Sequence, residues 1–591
     1  MKDFLKFTLA SVIGVLLAGF VGMLLLIVTF SAILSLSEQP VDVKDKTLLM
    51  LKLDHKIVER SDKNPLNDLE LPGISGPRQT GLDDILACIE KAKTDDRIRG
   101  IYLNPSEIDA GLATLEEIRH ALADFKESGK FVYAYGEAWS QKAFYLVSVA
   151  DKVVLNPKGM IDFKGLSAQR SFFKKALEKV GVEVQVIRHG KFKAAVEPFM
   201  LEKMSPENRL QTETYMGSIW NQLLADISAS RQLSIDELND LADGVTTFQR
   251  ADYLMAQGLV DTLLYKDEVI NDLKELTSIR ENSDLRVIDV KKYAQAPVKT
   301  DGKGLARDKI AVIYANGDIG MGTDGSGTGI DPEEISRTIR EARRDSSIKA
   351  IVLRINSPGG SAYGSEVIWR EVKLAAETKP VIASMSDVAA SGGYYIAAAA
   401  HTIMADRTTI TGSIGIFGLI PNAGELLNDK LGITQDVVNT NEHSDILSLT
   451  RKLTDFELEL LQNYIEDGYD TFIGRVAEGR KMTKEEVDAI GQGRVWSAEN
   501  ALDNRLIDLY GGVNDAIKLA ADMSETERYR VIQLPKIKDP LEEWLKELSG
   551  TARMRLLKSE LGDHYPIYKQ LKSLTRTRGI LTRLPYDIQI N

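Results

Sequence analysis

The sequence repeats itself. Residues 84–103, DILACIEKAKTDDRIRGIYL, match residues 334–353, EISRTIREARRDSSIKAIVL. Ile85, Ile89, Ala92, Asp95, Ile98 and Leu103 stand over Ile335, Ile339, Ala342, Asp345, Ile348 and Leu353, at a constant offset of 250. Each copy reads as an amphipathic helix, a charged turn and a buried strand. The match continues with Phe144-Tyr145-Leu146 over Tyr394-Tyr395-Ile396, and with residues 251–261 over 498–508. Arg286-Val287-Ile288 is echoed by Arg530-Val531-Ile532. A chain of 591 residues is also too long for one core. The duplication therefore predicts two tandem copies of one α/β unit, residues 46–293 and 309–535, in which strands alternate with helices. The polar stretch 294–308, with Pro297, Gly302 and Gly304, is the expected linker. The tail, residues 536–591, has no counterpart. Its Leu541, Trp544, Leu545 and Leu548 have the spacing of a helix packed on a neighbour.

The copies differ where chemistry is concentrated. In PVIASMSDVAASGGYYI, residues 380–396, an apolar strand runs into small residues, then Ser391, two glycines and an apolar helical segment. A serine at a strand-to-helix junction sits beside unpaired helix N–H groups, which favour a developing negative charge. Upstream, the strand 350–355 ends in Asn356-Ser357-Pro358-Gly359-Gly360, a second glycine turn able to donate to an oxyanion. The first copy has Gln141-Lys142-Ala143 and Ile108-Asp109-Ala110 at these places. It carries instead VIRHGKFKAAVEPF, residues 186–199, a strand leading to a turn with lysines among apolar residues. A serine nucleophile needs a base. His189, His401 and His443 stand in no recognisable arrangement with Ser391 and an acid. A lysine neutralised by burial is the alternative, and Lys193 beside Phe192, Ala194, Ala195 and Val196 is the candidate. The residues alone leave a solvated strand-end lysine equally open.

Residues 7–37 contain no charged side chain and follow Lys2 and Lys6. That run is long enough to span a bilayer and exceeds the core of a cleaved signal peptide, although Ser35-Leu36-Ser37 offers a cleavage site. Residues 1–38 are therefore expected to be a cytoplasmic stub and transmembrane anchor, with the remainder on the outer side. A net charge of −12 argues against a nucleic-acid partner. Cys88, the single cysteine, lies on the apolar face of a helical pattern and is expected in the core. No HExxH, CxxC or GxxxxGK[ST] run is present, and no cofactor or metal is expected.

INSPGGS, VAASGGYYIAAAA, TGSIGIFG and, in the first half, GKFKAAVEPF resemble the signal peptide peptidase A (protease IV) family in its long, duplicated form. The resemblance covers the anchor and both repeats. It implies the Clp protease/crotonase fold and a serine endopeptidase with a Ser/Lys dyad, Ser391 as nucleophile and Lys193 as base. The family places its lysine directly before the small residues of K-[AS]-A-x-E-P-F, which selects Lys193 over Lys191. Ser413 is implied to orient the lysine, and Gly392, Gly359 and Gly360 to form the oxyanion hole. No histidine lies in residues 408–417, which disfavours a Clp-type triad. The implied substrates are cleaved signal peptides and other hydrophobic peptides. The implied setting is the bacterial inner membrane, with the catalytic units on the periplasmic side, and the implied assembly is a homo-oligomer, a tetramer. A crotonase-type acyl-CoA enzyme and a non-catalytic membrane scaffold are the competing readings.

Overall fold

The computed structural model describes residues 4, 6–8, 10–22, 41–61, 79–297, 306–320, 329–537 and 580–583. Its frame is a pair of parallel sheets that repeat one another. The first runs Val287–Asp289, Thr47–Leu51, Ile98–Leu103, Phe131–Trp139, Lys152–Ile161, Thr262–Leu263. The second runs Arg530–Leu534, Lys309–Asn316, Ile348–Ser357, Val381–Ala390, Thr402–Ala405, Leu509–Tyr510. Strand answers strand across the two. In the second sheet Val381–Ala390 extends further, pairing in parallel with Ile410–Gly412, which in turn pairs antiparallel with Val495–Ser497. Helices follow the same rule: Leu82–Thr94 answers Pro332–Arg344, and Leu112–Lys126 answers Ala362–Ala376.

The second sheet is buried on both faces, which explains its unbroken apolar strands. Successive side chains point to opposite faces. Ile310, Val312, Ala350, Val352 and Ile382 join a core shared with the first repeat, whereas Ala311, Ile313, Ile351, Leu353 and Ala383 join the core on the far side. Cys88 is buried in the shared core, and burial pushes its thiol up to about 12.

The two repeats meet through buried charge as well as apolar surface. Arg354, fully buried on the second sheet, donates to Glu59 Oε2 at 2.7 Å, to Ser384 Oγ at 2.9 Å, and to Glu117 Oε1. Glu59 Oε1 also accepts from Asn356 Nδ2 at 2.9 Å, and Glu117 Oε2 from the Val513 N–H at 2.9 Å. Asp387 of the second repeat accepts from the Thr114 N–H at 2.9 Å and the Thr114 hydroxyl at 2.8 Å.

The expected tail helix at 541–548 lies outside the described residues, as does most of the expected linker. What is described of the tail is a strand, Ile580–Arg583. Among the described residues no helix is long and apolar enough to cross a membrane. Residues 23–38 of the expected anchor lie outside them.

Arg354 balances two buried carboxylates, and removing one partner of a buried ion pair strands the others. Arg354→Ala should cost about 3–5 kcal/mol, read as a lowered urea midpoint, and adding Glu59→Gln with Glu117→Gln should recover part of the loss.

Candidate active site

Ser391 occupies the single residue between strand Val381–Ala390 and helix Gly392–Ala397. Its backbone has φ 57° and ψ −117°, a conformation that costs a non-glycine residue about 1–3 kcal/mol. The neighbouring strand holds it there: the Ser391 N–H donates to Gly412 O at 2.8 Å. The side chain is fully buried. Gly392 is the first helical residue, where an N–H has no acceptor within the helix. Gly393 must lack a side chain, because a Cβ there would lie 2.5 Å from Ser357 O. This close approach seats the serine helix on the other glycine turn. In that turn the Ser357 hydroxyl donates to Gly317 O at 2.7 Å and accepts the Gly359 N–H at 3.1 Å. The Gly359 N–H is therefore engaged inside the turn. Gly360 lies against Ile319, whose carbonyl oxygen would be 2.1 Å from an added Cβ.

Lys193 reaches this place from the other repeat. Strand Glu183–Arg188 pairs antiparallel with Phe417–Asn422 and so carries the first repeat onto the second. Lys193 is not at the end of that strand. It lies five residues beyond its end, just before the short 3-10 turn Ala194–Val196. Nor is it solvated: Lys193 is 0% exposed, whereas Lys191 is exposed. Lys193 Nζ lies 2.9 Å from Ser391 Oγ and donates to Ser413 Oγ at 3.1 Å and Ser413 O at 3.2 Å. Burial alone holds its ammonium form well below the ordinary lysine pKa. A neutral amine can accept a proton from a hydroxyl at this distance.

The sequence patterns did not single out several residues that build this pocket. Gly493, at φ 80°, packs its backbone against Lys193, and a Cβ there would lie 2.6 Å from Lys193 Cβ. The Ser413 N–H donates to Arg494 O and the Gly493 N–H to Ile414 O, both at 2.6 Å. Gln211, fully buried, ties the lysine loop to this segment: its Nε2 donates to Phe192 O at 3.2 Å and its Oε1 accepts the Val495 N–H at 3.0 Å. The Arg494 guanidinium stacks 3.9 Å from the Trp496 ring centre and 4.8 Å from that of Phe192. The paired glycines of Gly491-Gln492-Gly493 were the available signal. Glu197 of the lysine motif is buried and accepts from Asn208 Nδ2 at 2.7 Å and from the Ser205 hydroxyl. The histidines are engaged elsewhere. His189 stacks on Tyr469 and bonds Glu466, His401 Nδ1 accepts the Val381 N–H, and His443 bonds Glu457.

Beside the serine a four-stranded sheet forms, in the order Gly359–Ser361, Ile580–Arg583, Phe417–Asn422, Glu183–Arg188. The tail strand lies antiparallel to both neighbours, with Gly360 opposite Thr582 and Phe417 opposite Leu581. An extended segment of the chain thus lies along the glycine turn.

Because Lys193 is buried, the unfolded chain holds a proton below about pH 10.4 that the folded chain gives up at a lower pH. Between those two values wild-type stability rises with pH. The Tm of Lys193→Met relative to wild type should therefore be highest near neutral pH and fall toward pH ~10, checked by thermal denaturation across that range.

Residues 124–280 and 373–527 match the peptidase family S49, one match in each repeat. Protease 4 of Salmonella typhi is 37% identical over 86% of this chain and 83% of its own. Protease 4 of Haemophilus influenzae is 33% identical over 88% and 86%. The chloroplastic serine protease SPPA of Arabidopsis thaliana is 34% identical over 84% of this chain and 72% of its own. Two family matches, falling on the two halves of a duplicated α/β fold whose halves meet at a buried serine and lysine, lead to one conclusion: the chain belongs to peptidase family S49 and is a serine peptidase.

Proposed function

We propose that this peptidase works by a Ser/Lys dyad, with Ser391 as nucleophile and Lys193 as general base. The observation that carries the reading is the 2.9 Å approach of Lys193 Nζ to Ser391 Oγ, with both side chains fully buried. Neutral Lys193 takes the hydroxyl proton as Ser391 Oγ attacks a peptide carbonyl. The tetrahedral oxyanion develops next to the Gly392 N–H at the helix start, on the Gly360 side of the glycine turn, since the Gly359 N–H is held by the Ser357 hydroxyl. One such donor is worth about 3–4 kcal/mol. The Lys193 ammonium then protonates the leaving amine, the C–N bond breaks, and water repeats the cycle on the acyl-enzyme. Ser413, bonded to Lys193 through its hydroxyl and its carbonyl, keeps the amine aimed at Ser391. The family match does not favour the acyl-CoA alternative, and the mechanism calls for no cofactor.

The substrate is an extended peptide added as a strand. Ile580–Arg583 supports this, because it already pairs with the glycine turn by backbone hydrogen bonding. By resemblance we assign cleaved signal peptides and other hydrophobic peptides as substrates, in a tetramer at the bacterial inner membrane, with residues 46–293 and 309–535 on the periplasmic side. Residues 10–22 support an anchor within residues 1–38: they are helical, uncharged and leave Val15 72% and Leu16 68% exposed.

Ser391→Ala, Lys193→Ala and Lys193→Arg should each lower kcat/KM by about 10³-fold or more, since a guanidinium cannot act as base. Lys191→Ala should retain activity. In wild type, kcat/KM should rise with pH through the Lys193 pKa, on a limb lying well below the ordinary lysine value. An active Lys193→Arg enzyme would end the dyad reading. Deleting residues 579–591 should lower KM for short peptides, because it removes the strand that competes for the glycine turn. An unchanged KM would separate that strand from the substrate path.

A further inference from the structure

A second cluster of reactive groups lies where the repeats meet, apart from Ser391 and Lys193. Helix Leu112–Lys126 of the first repeat carries Glu116 and His120 at i and i+4, one above the other on one face. Asp406 of the second repeat follows strand Thr402–Ala405 directly. One ligand atom from each of Glu116, His120 and Asp406 lies within 4.8 Å of the other two, the span of donors around a single ion.

Three further observations single this cluster out. Asp406 is 1% exposed, and neither of its carboxylate oxygens has a hydrogen-bond donor, a costly state for a buried acid. The surroundings are acidic: Glu116, Glu117 and Glu59 are buried in this region, Arg354 is already shared between Glu59 and Glu117, and the buried Arg119 guanidinium donates to the Tyr145 and Asp226 carbonyls and the Ser148 and Ser230 hydroxyls and to no carboxylate. Glu116 is also held in place as a ligand would be. Its carboxylate accepts the Thr408 N–H at 2.9 Å, the Thr408 hydroxyl at 2.7 Å and the Arg407 N–H at 3.2 Å. Such outer bonds orient a metal-binding carboxylate.

We infer that Glu116, His120 and Asp406 form a structural binding site for a divalent transition-metal ion that fastens the two repeats together. One imidazole with two carboxylates suits zinc or manganese better than calcium or magnesium, which favour all-oxygen shells. His120 is exposed and gives the ion a way in from solvent. Three protein ligands leave a position for water. The sequence shows no compact metal motif because the ligands come from different repeats. The ion would brace the start of Ile410–Gly412, whose Gly412 O accepts the Ser391 N–H. It touches neither Ser391 nor Lys193 and takes no part in bond cleavage.

The test uses full-length protein stripped with a chelator and dialysed against zinc chloride or, separately, manganese chloride. Metal per chain and Tm are then measured. Wild type should take up one zinc ion per chain with a rise in Tm, and manganese should bind more weakly. His120→Ala and Asp406→Asn should each bind zinc roughly tenfold or more weakly and lose the rise in Tm. Because His120 is exposed, metal-free His120→Ala should melt with metal-free wild type, which keeps the test valid if Asp406→Asn fails to fold. Absence of stoichiometric uptake by wild type would overturn the site. Uptake unchanged in His120→Ala would overturn it as well.

Discussion

The site depends on a lysine buried without a counter-charge. An ammonium group in such a place would lose its hydration with nothing in return, so burial lowers the pKa of the amine well below the ordinary lysine value. Burial is the one cause acting on Lys193. Its partners are a hydroxyl, a second hydroxyl and a carbonyl, groups that suit a neutral amine. Several residues pack the lysine out of solvent, leaving it 0% exposed. Gly493 and Gly415 let backbone close against the lysine stem, and Gln211 pins the loop that carries it.

Duplication explains how the arrangement is divided. Each repeat contributes a parallel sheet and matching helices, yet the reactive groups are not matched. Ser391 stands where the first repeat has Gln141, and that glutamine holds a loop instead. Its Oε1 accepts the N–H groups of Lys164 and Gly165, both at 3.0 Å. The serine and lysine can meet only if the repeats dock, and the docking surface carries charge as well as apolar side chains. Arg354, bound by two acids of the other repeat, costs desolvation but fixes how the two surfaces register. Strand Glu183–Arg188, paired with Phe417–Asn422, is the second fastening, and it leads directly into the lysine loop.

The glycine turn and the serine helix form one unit. Gly393 lets the helix approach Ser357, and Ser357 in turn holds the Gly359 N–H. Strain at Ser391, with φ 57°, is carried by a junction that neighbouring strands hold on both sides. The tail strand beside this unit satisfies backbone groups of a sheet edge that would otherwise stay open.

Much of this was legible in the sequence for a definite reason. The 250-residue offset reports repeated local patterns, and local patterns of helix and strand survive as periodicity. Ser391 was legible because strand, small residues, glycines and helix follow one another without interruption. Lys193 was less so: the residues left its burial open, and the resemblance to a family singled it out. Its environment comes from Gly415, Phe417 and Gly493, more than 200 residues away, and no local pattern records what packs on a side chain from that distance. The same holds for Glu59, Glu117 and Arg354, each an ordinary charged residue in its own segment, and for the strand Ile580–Arg583. The repeated α/β pattern and the serine at its junction are thus written locally, in the order of the residues. Which lysine loses its solvent is settled by docking, because desolvation belongs to the assembled repeats and not to either segment alone.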